Sequence, residues 1–492
     1  MVPASASHAI GGDAARRAEP PSEVSWPLVL PAVATVVVVL SVFSNGYGFE
    51  RDELYFMMLK PAWGYVDQPP LTPLLAHALA DAYGGGPWLL RVPATLCAAG
   101  CVLLTALLAR ELGGGARAQA WTAWGMATTS AVTVFGHSFL TSTPDLVAWP
   151  AVSLAVVRAL RRDQPRWWLV AGVFAGLATY NKLLIAVLLA GVALGLALVG
   201  PRTPLRSAAL WAGAVVALVV AMPNVVYQVV HGWPQLDMGH ALAADNASDV
   251  RASMWPLMVL LMGPPLAVIW VAGLRALWRD ERVRCLTVAF AVVVVFTFVS
   301  GTQAYYPLFF LPVPFAAGVV AWAGRLGRVW GGLFALNGVV SVVLGLPVVA
   351  VGHLGSTPIP DVDTAVQDSV GWPAYVDQIA APYDALSDPE HAVVVTSNYG
   401  EAGAVARYRP DIPVFSAQNA LYDQARPPDG TTTVVFVGGE LGTAGRLFDC
   451  HVVGRLENGV GVDNEEQGEP VALCSDPVGS WSRIWPQLRH LD

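Results

Sequence analysis

Long apolar segments constrain this chain more than any other feature. Two of them read WPLVLPAVATVVVVLSVF (residues 26–43) and CLTVAFAVVVVFTFVSG (residues 285–301). Apolar runs of about 18 residues are long enough to cross the hydrocarbon core of a bilayer as helices. The chain is also 55% hydrophobic and only 13% charged over 492 residues, which is too apolar for a soluble enzyme of this size. We therefore predict a polytopic α-helical membrane protein.

Eleven segments have the length and composition of membrane spans. They cover residues 26–43, 88–109, 119–136, 143–160, 167–181, 183–200, 207–230, 253–277, 285–301, 306–324 and 329–350. Residues 1–24 form an Ala/Ser/Pro-rich tail without a core-forming pattern, so we predict that the tail is disordered. Because no small-residue cleavage site follows residue 43, the first run is predicted to be an uncleaved helix rather than a signal peptide.

The distribution of arginine between the loops predicts an orientation. Arg-rich loops alternate along the chain with loops that carry few arginines and most of the acids. The Arg-rich loops are at 110–117, 161–166, 202–206, 275–284 and 325–328, and the others are at 47–87, 137–142, 231–252 and 302–305. Positive loops favour the cytoplasmic side. We therefore expect a cytoplasmic N-terminus and, after an odd number of spans, an extracytoplasmic C-terminus.

The composition changes after the last span, which predicts a membrane domain at 25–350 and a small extracytoplasmic α/β domain at 351–492. The segments predicted as strands are HAVVVTSNYG, TTTVVFVGG, VGRLE and PVALCS, and EAGAVARY (401–408) is predicted as a short helix. Cys450 and Cys474 both lie in this domain, where oxidation is permitted. A disulfide between them is expected, with two free thiols as the alternative.

The first external loop, residues 47–87, opens with YGFERDELYF and so contains four consecutive charges. Placing such a cluster inside a bilayer would cost about 3 kcal/mol per charge, so these side chains must face water or a polar cavity. The segment ELYFMMLK is predicted as an amphipathic helix at the membrane surface. The pair Pro69–Pro70 fixes an extended backbone after Asp67. Asp52 and Asp67 are therefore expected to converge on one point.

Other polar residues lie at the same predicted face. Asp145 follows Thr143–Pro144 at a helix start, where a capping role and a site role are both open. The lysines of the chain are Lys60 and Lys182. Together with Arg251, they are candidates to bind a lipid phosphate, and snorkelling to headgroups is the alternative.

Two further groups at this face remain ambiguous. His231, Asp237 and His240 could bind a divalent metal, although their spacing matches no standard ligand pattern. His231 is also a candidate to bind substrate. Tyr305 and Tyr306 belong either to an aromatic belt or to a site that hydrogen-bonds sugar or phosphate. The sequence contains no P-loop, no dinucleotide-binding glycine pattern and no nucleic-acid signature, so neither ATP nor nucleic acid is an expected partner.

Several motifs together resemble a known group of membrane enzymes. They are RDE, GYVDQPPLTPLLA, TPDLVAW, TYNKLL, PNVVYQVVHGWPQL, AYYPLFFLPVPFAAG and TSNYGEAGAVARYRP. As a set they resemble the bacterial relatives of the protein O-mannosyltransferases. These are GT-C (family 39-like) glycosyltransferases, a class that includes the lipid A aminoarabinose transferases.

The resemblance implies sugar transfer from a polyprenyl-phosphate carrier, with inversion, at the outer face of a bacterial plasma membrane. The acceptor could be a glycan, a protein, a lipid or a metabolite. In this group the first-loop aspartate is catalytic, which implies Asp52 with Glu53 as its paired acid and Asp67 as the later acid. Tyr65 and Gln68 belong to the same motif and are candidates to bind substrate. Aminoarabinose transferases have lysine where this chain has Gln68, so the phosphate-binding role is expected at Lys60 or Arg251.

A transporter or flippase for a lipid-linked sugar is the main rival prediction. Such a protein would place functional acids near the midplane on discontinuous helices, with repeat symmetry between its halves. Here the predicted spans are nearly free of interior charge, and the conspicuous acids cluster at one face. A non-catalytic scaffold would leave the charged loop unexplained. The sequence therefore favours an enzyme.

Overall fold

A computed structural model describes residues 22–491, so most of the predicted tail at 1–24 lies outside the described residues. Helices account for most of the first 350 residues. They are α1 (Trp26–Phe43), α2 (Arg51–Met58), α3 (Leu71–Tyr83), α4 (Pro87–Leu90), α5 (Val92–Glu111), α6 (Ala116–Ala127), α7 (Ser130–His137), α8 (Asp145–Arg161), α9 (Arg166–Ala178), α10 (Ile185–Leu198), α11 (Ala208–Val230), α12 (Pro234–Met262), α13 (Pro264–Arg279), α14 (Cys285–Ser300), α15 (Pro312–Trp322) and α16 (Arg328–Gly345).

The apolar helices fit a membrane protein, but the predicted count of eleven spans is not confirmed. Within residues 22–491, four helical segments are long and apolar enough to cross a membrane, and the bent pair α12–α13 could be a fifth. The four are Trp26–Phe43, Pro87–Glu111, Ala208–Val230 and Arg328–Gly345. Helices α9, α10, α14 and α15 are apolar but shorter. Several predicted spans therefore coincide with helices that are too short to be assigned as crossings by length alone.

The predicted loop at 231–252 is wrong, and the predicted span at 253–277 is not a single helix. Residues 234–262 form one continuous helix, α12, and the chain then bends by 103° into α13. The polar stretch contains no proline between Pro234 and Pro256, and it stays helical in spite of its charges. Gly263, with φ of +96°, adopts a conformation that other residues rarely tolerate, and Pro264 and Pro265 cannot continue the preceding helix.

The break at Gly263 is supported by a neighbouring polar side chain. The Asn337 side-chain amide on α16 donates a hydrogen bond to the Met262 carbonyl (3.3 Å) and another to the Thr128 carbonyl (2.7 Å). Each of these carbonyls lies where a helix ends, and the Thr128 carbonyl also accepts the Ser341 hydroxyl at 2.9 Å. One buried asparagine therefore stabilises two interrupted helices.

The C-terminal region, residues 351–491, contains a mixed five-stranded sheet among the described residues. Its helices are α17 (Val351–Leu354), α18 (Ile359–Val362), α19 (Thr364–Gln367), α20 (Trp372–Asp384), α21 (Tyr399–Tyr408), α22 (Leu421–Gln424), α23 (Leu441–Ala444) and α24 (Trp481–Leu488), and its strands are β1 (Ala392–Thr396), β2 (Val414–Ser416), β3 (Thr433–Val437), β4 (Asp449–Arg455) and β5 (Pro470–Ser475). The strand order is β2-β1-β3-β5-β4, with β1 parallel to both neighbours and β5 antiparallel to both of its own. The four predicted strands and the predicted helix are confirmed, whereas β2 was not predicted.

Cys450 and Cys474 are joined in a disulfide, as predicted. The two residues are directly opposite each other on the paired strands β4 and β5. This bridge links the edge strand to the interior of the sheet.

The first loop and the sheet share one hydrophobic core. Leu54 and Phe56 of α2 are buried in the same cluster as Trp372 of α20 and Val394 of β1. Helix α21 packs so closely on α2 that a Cβ at Gly403 would lie 2.7 Å from the Leu54 backbone. The C-terminal region therefore sets the position of α2 and of the charged residues at its start.

Candidate functional site

A cavity of about 780 Å³ opens beside the N-terminal end of α2. Helix α2, the turn between α9 and α10, the first half of α12, residues 302–306 and the C-terminal region all contribute to its lining. Among the candidates from the sequence, the cavity brings together Asp52, Asp67, Gln68, Lys182, Tyr305 and Tyr306. Asp52 and Asp67, which were predicted to converge on one point, both line this cavity.

The four charges that open α2 have four different roles. Glu50 is the N-cap, and its carboxylate accepts the Asp52 backbone N–H at 2.7 Å. The Arg51 guanidinium donates to Asp368 at 2.8 Å and also pairs with Glu465, both in the C-terminal region. Asp52 faces the cavity, whereas Glu53 points into the protein. Acids in the first helical turn are favoured by the helix dipole, which helps to keep this cluster helical.

Asp52 is half-buried and has a hydrogen-bond partner from the C-terminal region. The Tyr399 hydroxyl, at the first residue of α21, donates to Asp52 Oδ1 at 2.9 Å. Burial raises the pKa of Asp52, and Arg51, the Tyr399 hydrogen bond and Lys182 partly offset that rise. A carboxylate with a raised pKa is a better proton acceptor than a free aspartate, which suits a general base.

Asp67 lies beside Tyr55, whose ring contacts that of Tyr399. Its Oδ2 accepts hydrogen bonds from the Tyr55 hydroxyl (2.9 Å) and from Gln68 Nε2 (3.2 Å). Its Oδ1 has no hydrogen-bond partner among residues 22–491. Burial raises the pKa of Asp67 to about 7. The Tyr55 and Tyr399 rings are 4.5 Å apart, so they link the two carboxylates through contacting side chains.

Lys182 supplies an ammonium group to the cavity. It lies in the turn between α9 and α10, and its Nζ donates to Ser142 Oγ at 3.1 Å. The same nitrogen lies 5.4 Å from the ring centroids of Tyr305 and Tyr306, within cation–π range. This cation is therefore fixed in place near the tyrosines rather than extended toward bulk solvent.

Glu53 is not paired with Asp52, and its expected catalytic role is not supported. Its side chain is fully buried, and Arg91 donates to both carboxylate oxygens, at 2.9 and 2.8 Å. The same oxygens accept the backbone N–H groups of Phe139 and Glu50. Arg91 in turn donates to the Ser44 carbonyl. Glu53 therefore ties α2 to the helices beneath it and does not line the cavity.

The other expected site residues also lie outside the cavity lining. Lys60 is exposed, and the Tyr65 hydroxyl donates to its backbone carbonyl. Arg251 is exposed and donates to the Phe298 carbonyl. Asp145 is buried and accepts a hydrogen bond from Asn181 at 3.2 Å, without a side-chain cap of its own helix. The expected phosphate-binding roles of Lys60 and Arg251 are therefore not supported.

The suggested metal site is not present in the described part of the chain. Residues 22–491 contain no group of three or more His, Cys, Asp or Glu side chains that could hold a metal ion. His231 stacks on the Tyr227 ring at 4.1 Å and is exposed, whereas His240 lines the cavity from α12. His231 lies at the end of α11, whereas Asp237 and His240 lie on the helix α12.

Tyr399, Arg91 and Asp368 are site or support residues that sequence reasoning did not identify. Tyr399 lies 347 positions from its partner Asp52. The motif TSNYGEAG drew attention to this segment, but no local pattern marks the tyrosine as a contact of the first loop. Arg91 lies in an apolar segment, and an arginine isolated there could have been recognised as needing a buried carboxylate.

Known proteins share this sequence pattern and fold. Residues 67–227 match the family model described as dolichyl-phosphate-mannose-protein mannosyltransferase. No curated protein sequence matches the chain. The crystal structure of ArnT from Cupriavidus metallidurans bound to undecaprenyl phosphate superposes with a TM-score of 0.59 at 18% identity, covering 91% of this chain and 98% of that one. Its apo structure gives 0.57 at 17% identity, with the same coverage.

A more distant match extends the comparison. Arabinofuranosyltransferase AftD from Mycobacteria gives a TM-score of 0.50 at 12% identity, and the alignment covers 93% of this chain but 40% of AftD. These identities are low enough that the superpositions establish the fold alone. The chain therefore has the GT-C glycosyltransferase fold of a helical membrane protein, and its predicted resemblance to the protein O-mannosyltransferase and aminoarabinose transferase group is confirmed.

Proposed function

We propose that this protein transfers a sugar from a polyprenyl-phosphate carrier to an acceptor hydroxyl at the outer face of the membrane, with inversion at the anomeric carbon. The observation that carries the proposal is that one cavity holds both the Asp52 carboxylate and the Lys182 ammonium. Apolar side chains of α10, α12 and α14 line the same cavity. A lipid-linked sugar needs this combination, because its chain is apolar, its phosphate is anionic and its sugar is polar.

Asp52 is the proposed general base. As the acceptor oxygen forms its bond to the anomeric carbon, the hydroxyl proton passes to the Asp52 carboxylate. The bond from the anomeric carbon to the carrier phosphate oxygen breaks at the same time, which inverts that carbon. Base assistance of this kind contributes about 10²–10⁴-fold to the rate.

Lys182 is the proposed partner of the leaving phosphate. Breaking the glycosidic bond leaves an additional negative charge on the phosphate, and a fixed ammonium stabilises that charge as it develops. Tyr305 and Tyr306 lie beside Lys182 and can donate hydrogen bonds to the same oxygens. ArnT, which shares the fold, has been solved with undecaprenyl phosphate bound, and this supports a polyprenyl-phosphate donor here.

Replacement of Tyr399 by phenylalanine should move the pH profile of the reaction. The carboxylate form of Asp52 loses a hydrogen-bond donor, so the pKa of Asp52 rises further. The ascending limb of kcat/KM against pH should therefore shift upward by about one pH unit, because a hydrogen bond to a charged group contributes about 1.5–3 kcal/mol. Arg51, Lys182, Asp368, Glu50 and Asp67 also act on this carboxylate and are unchanged in the variant.

Tyr408→Phe is the matched control for this experiment. Tyr408 lies at the end of the same helix, α21, and does not line the cavity that holds Asp52. Its variant should keep the wild-type profile. An unshifted profile for Tyr399→Phe would show that Tyr399 does not affect the pKa of Asp52.

The function is tested by incubating the purified protein with a panel of polyprenyl-phosphate sugars and mixed acceptors. Release of free polyprenyl phosphate, with the sugar recovered on an acceptor or as the free sugar, is the expected result. NMR assignment of the product anomer should show the configuration opposite to that of the donor. A retained configuration would contradict the single displacement. A flippase would instead move intact donor across a vesicle membrane without cleaving it.

A further inference from the structure

A second cavity, of about 300 Å³, adjoins the first, and Asp52 lines both. Arg51, Thr141, Gln303, Tyr305 and Tyr399 also belong to both linings. The second cavity extends from there toward α7, the bend after α12 and residues 362–368 of the C-terminal region. The proposed base therefore lies where two separate spaces meet, as expected if the donor enters one space and the acceptor enters the other.

Four carboxyl groups line the smaller cavity. Glu50, Asp52, Asp363 and Asp368 all line it. Among its described lining residues, Arg51 is the one cation, and its guanidinium is already paired with Asp368 and Glu465. A group that enters this cavity thus meets more carboxylates than cations.

Asp363 provides an independent indication of a ligand. Its side chain is 7% exposed, and one carboxylate oxygen accepts the Ala365 N–H at 3.0 Å. The other oxygen, Oδ2, has no hydrogen-bond partner among residues 22–491. A buried carboxylate oxygen without a partner is costly, and a bound cation or donor would offset that cost. Asp363 also borders a recess of about 10 Å³ beside His137 and Ser138, which has room for about one water molecule.

We propose that the smaller cavity receives the acceptor, and that the acceptor group carries hydroxyls and a protonated amine but no anionic group. This inference rests on the proposed transferase function and specifies its second substrate. An ammonium would pair with the unsatisfied carboxylate, whereas a phosphate or carboxylate would meet no unpaired cation among the described lining residues, because Arg51 is already paired with Asp368 and Glu465. A volume of about 300 Å³ is at the lower end for ligand pockets and suits a group the size of a monosaccharide.

The test compares three probes as acceptors for one donor that the protein cleaves. Methyl glucosaminide carries an amine, methyl glucoside is neutral and methyl glucuronide carries a carboxylate. We expect kcat/KM to be about tenfold higher for the amine than for the neutral probe, and lower still for the glucuronide. Equal values, a preference for the carboxylate, or donor hydrolysis without transfer to any probe would overturn the acceptor assignment while leaving the donor half of the function intact.

Variants of Asp363 and Asp361 test whether the preference for the amine depends on the Asp363 carboxylate. Asp363→Asn removes the charge but keeps a residue that caps α19 well, and it should reduce the amine preference to about twofold or less. Asp361→Asn removes the same charge from an exposed side chain two residues away and should keep the tenfold preference. If Asp363→Asn keeps the tenfold preference for the amine, the Asp363 carboxylate does not bind the acceptor, and the proposal is contradicted. No cleavage of any donor with any acceptor would contradict the transferase function itself.

Discussion

Sugar transfer by the Asp52→Asn variant should fall by about 10²–10⁴-fold, because an amide cannot accept the proton of the attacking hydroxyl. The substitution keeps the size of the side chain and the acceptor oxygen that faces Tyr399. Asp52 is half-buried and lines both cavities, so loss of its charge should not disturb the protein core. The measurement is the rate of transfer under saturating donor, together with the midpoint of thermal unfolding in detergent.

Asp81→Asn is the matched control for this variant. Asp81 lies on α3 in the same predicted external loop, and its side chain is 72% exposed. Its variant should transfer sugar at the wild-type rate. An Asp52→Asn protein that folds normally and retains wild-type turnover would show that another group accepts the proton.

The adjacent substitution, Glu53→Gln, should instead lower the free energy of unfolding by about 3–5 kcal/mol. Glu53 and Arg91 form a fully buried ion pair, and neutralising one partner leaves the other charge without compensation. The loss should appear as a lower unfolding midpoint, with activity declining in proportion to the folded fraction. Neutralising Asp52 is thus expected to slow sugar transfer, whereas neutralising its neighbour Glu53 is expected to destabilise the fold.

Asp429→Asn is the control for the ion-pair effect. Asp429 also pairs with an arginine, Arg426 at 2.7 Å, but both side chains are largely exposed. Its variant should leave the unfolding midpoint nearly unchanged, since solvent screens surface pairs. If Glu53→Gln folds as stably as the wild type yet loses transfer selectively, Glu53 takes part in the reaction after all.

The contrast between Asp52 and Glu53 also shows where sequence reasoning reached its limit. The family resemblance implied a catalytic role for Asp52, and Glu53 was assigned beside it as the paired acid. On a helix, consecutive side chains point about 100° apart, so neighbours in sequence need not share a surface. The sequence predicted that the cluster must avoid lipid, but not which of its members faces a cavity and which faces Arg91.

The apolar helices, four of the five strands described in the C-terminal sheet, the Cys450–Cys474 pairing and the polar surroundings of the first-loop charges were predictable from the sequence. Each depends on a local pattern, such as an apolar run, an alternation or a charge placed where lipid would exclude it. The Glu53–Arg91 pair and the contact of Tyr399 with Asp52 were decided by the tertiary structure. These features depend on residues that are distant along the chain but close in space, and packing rather than local propensity brings such residues together.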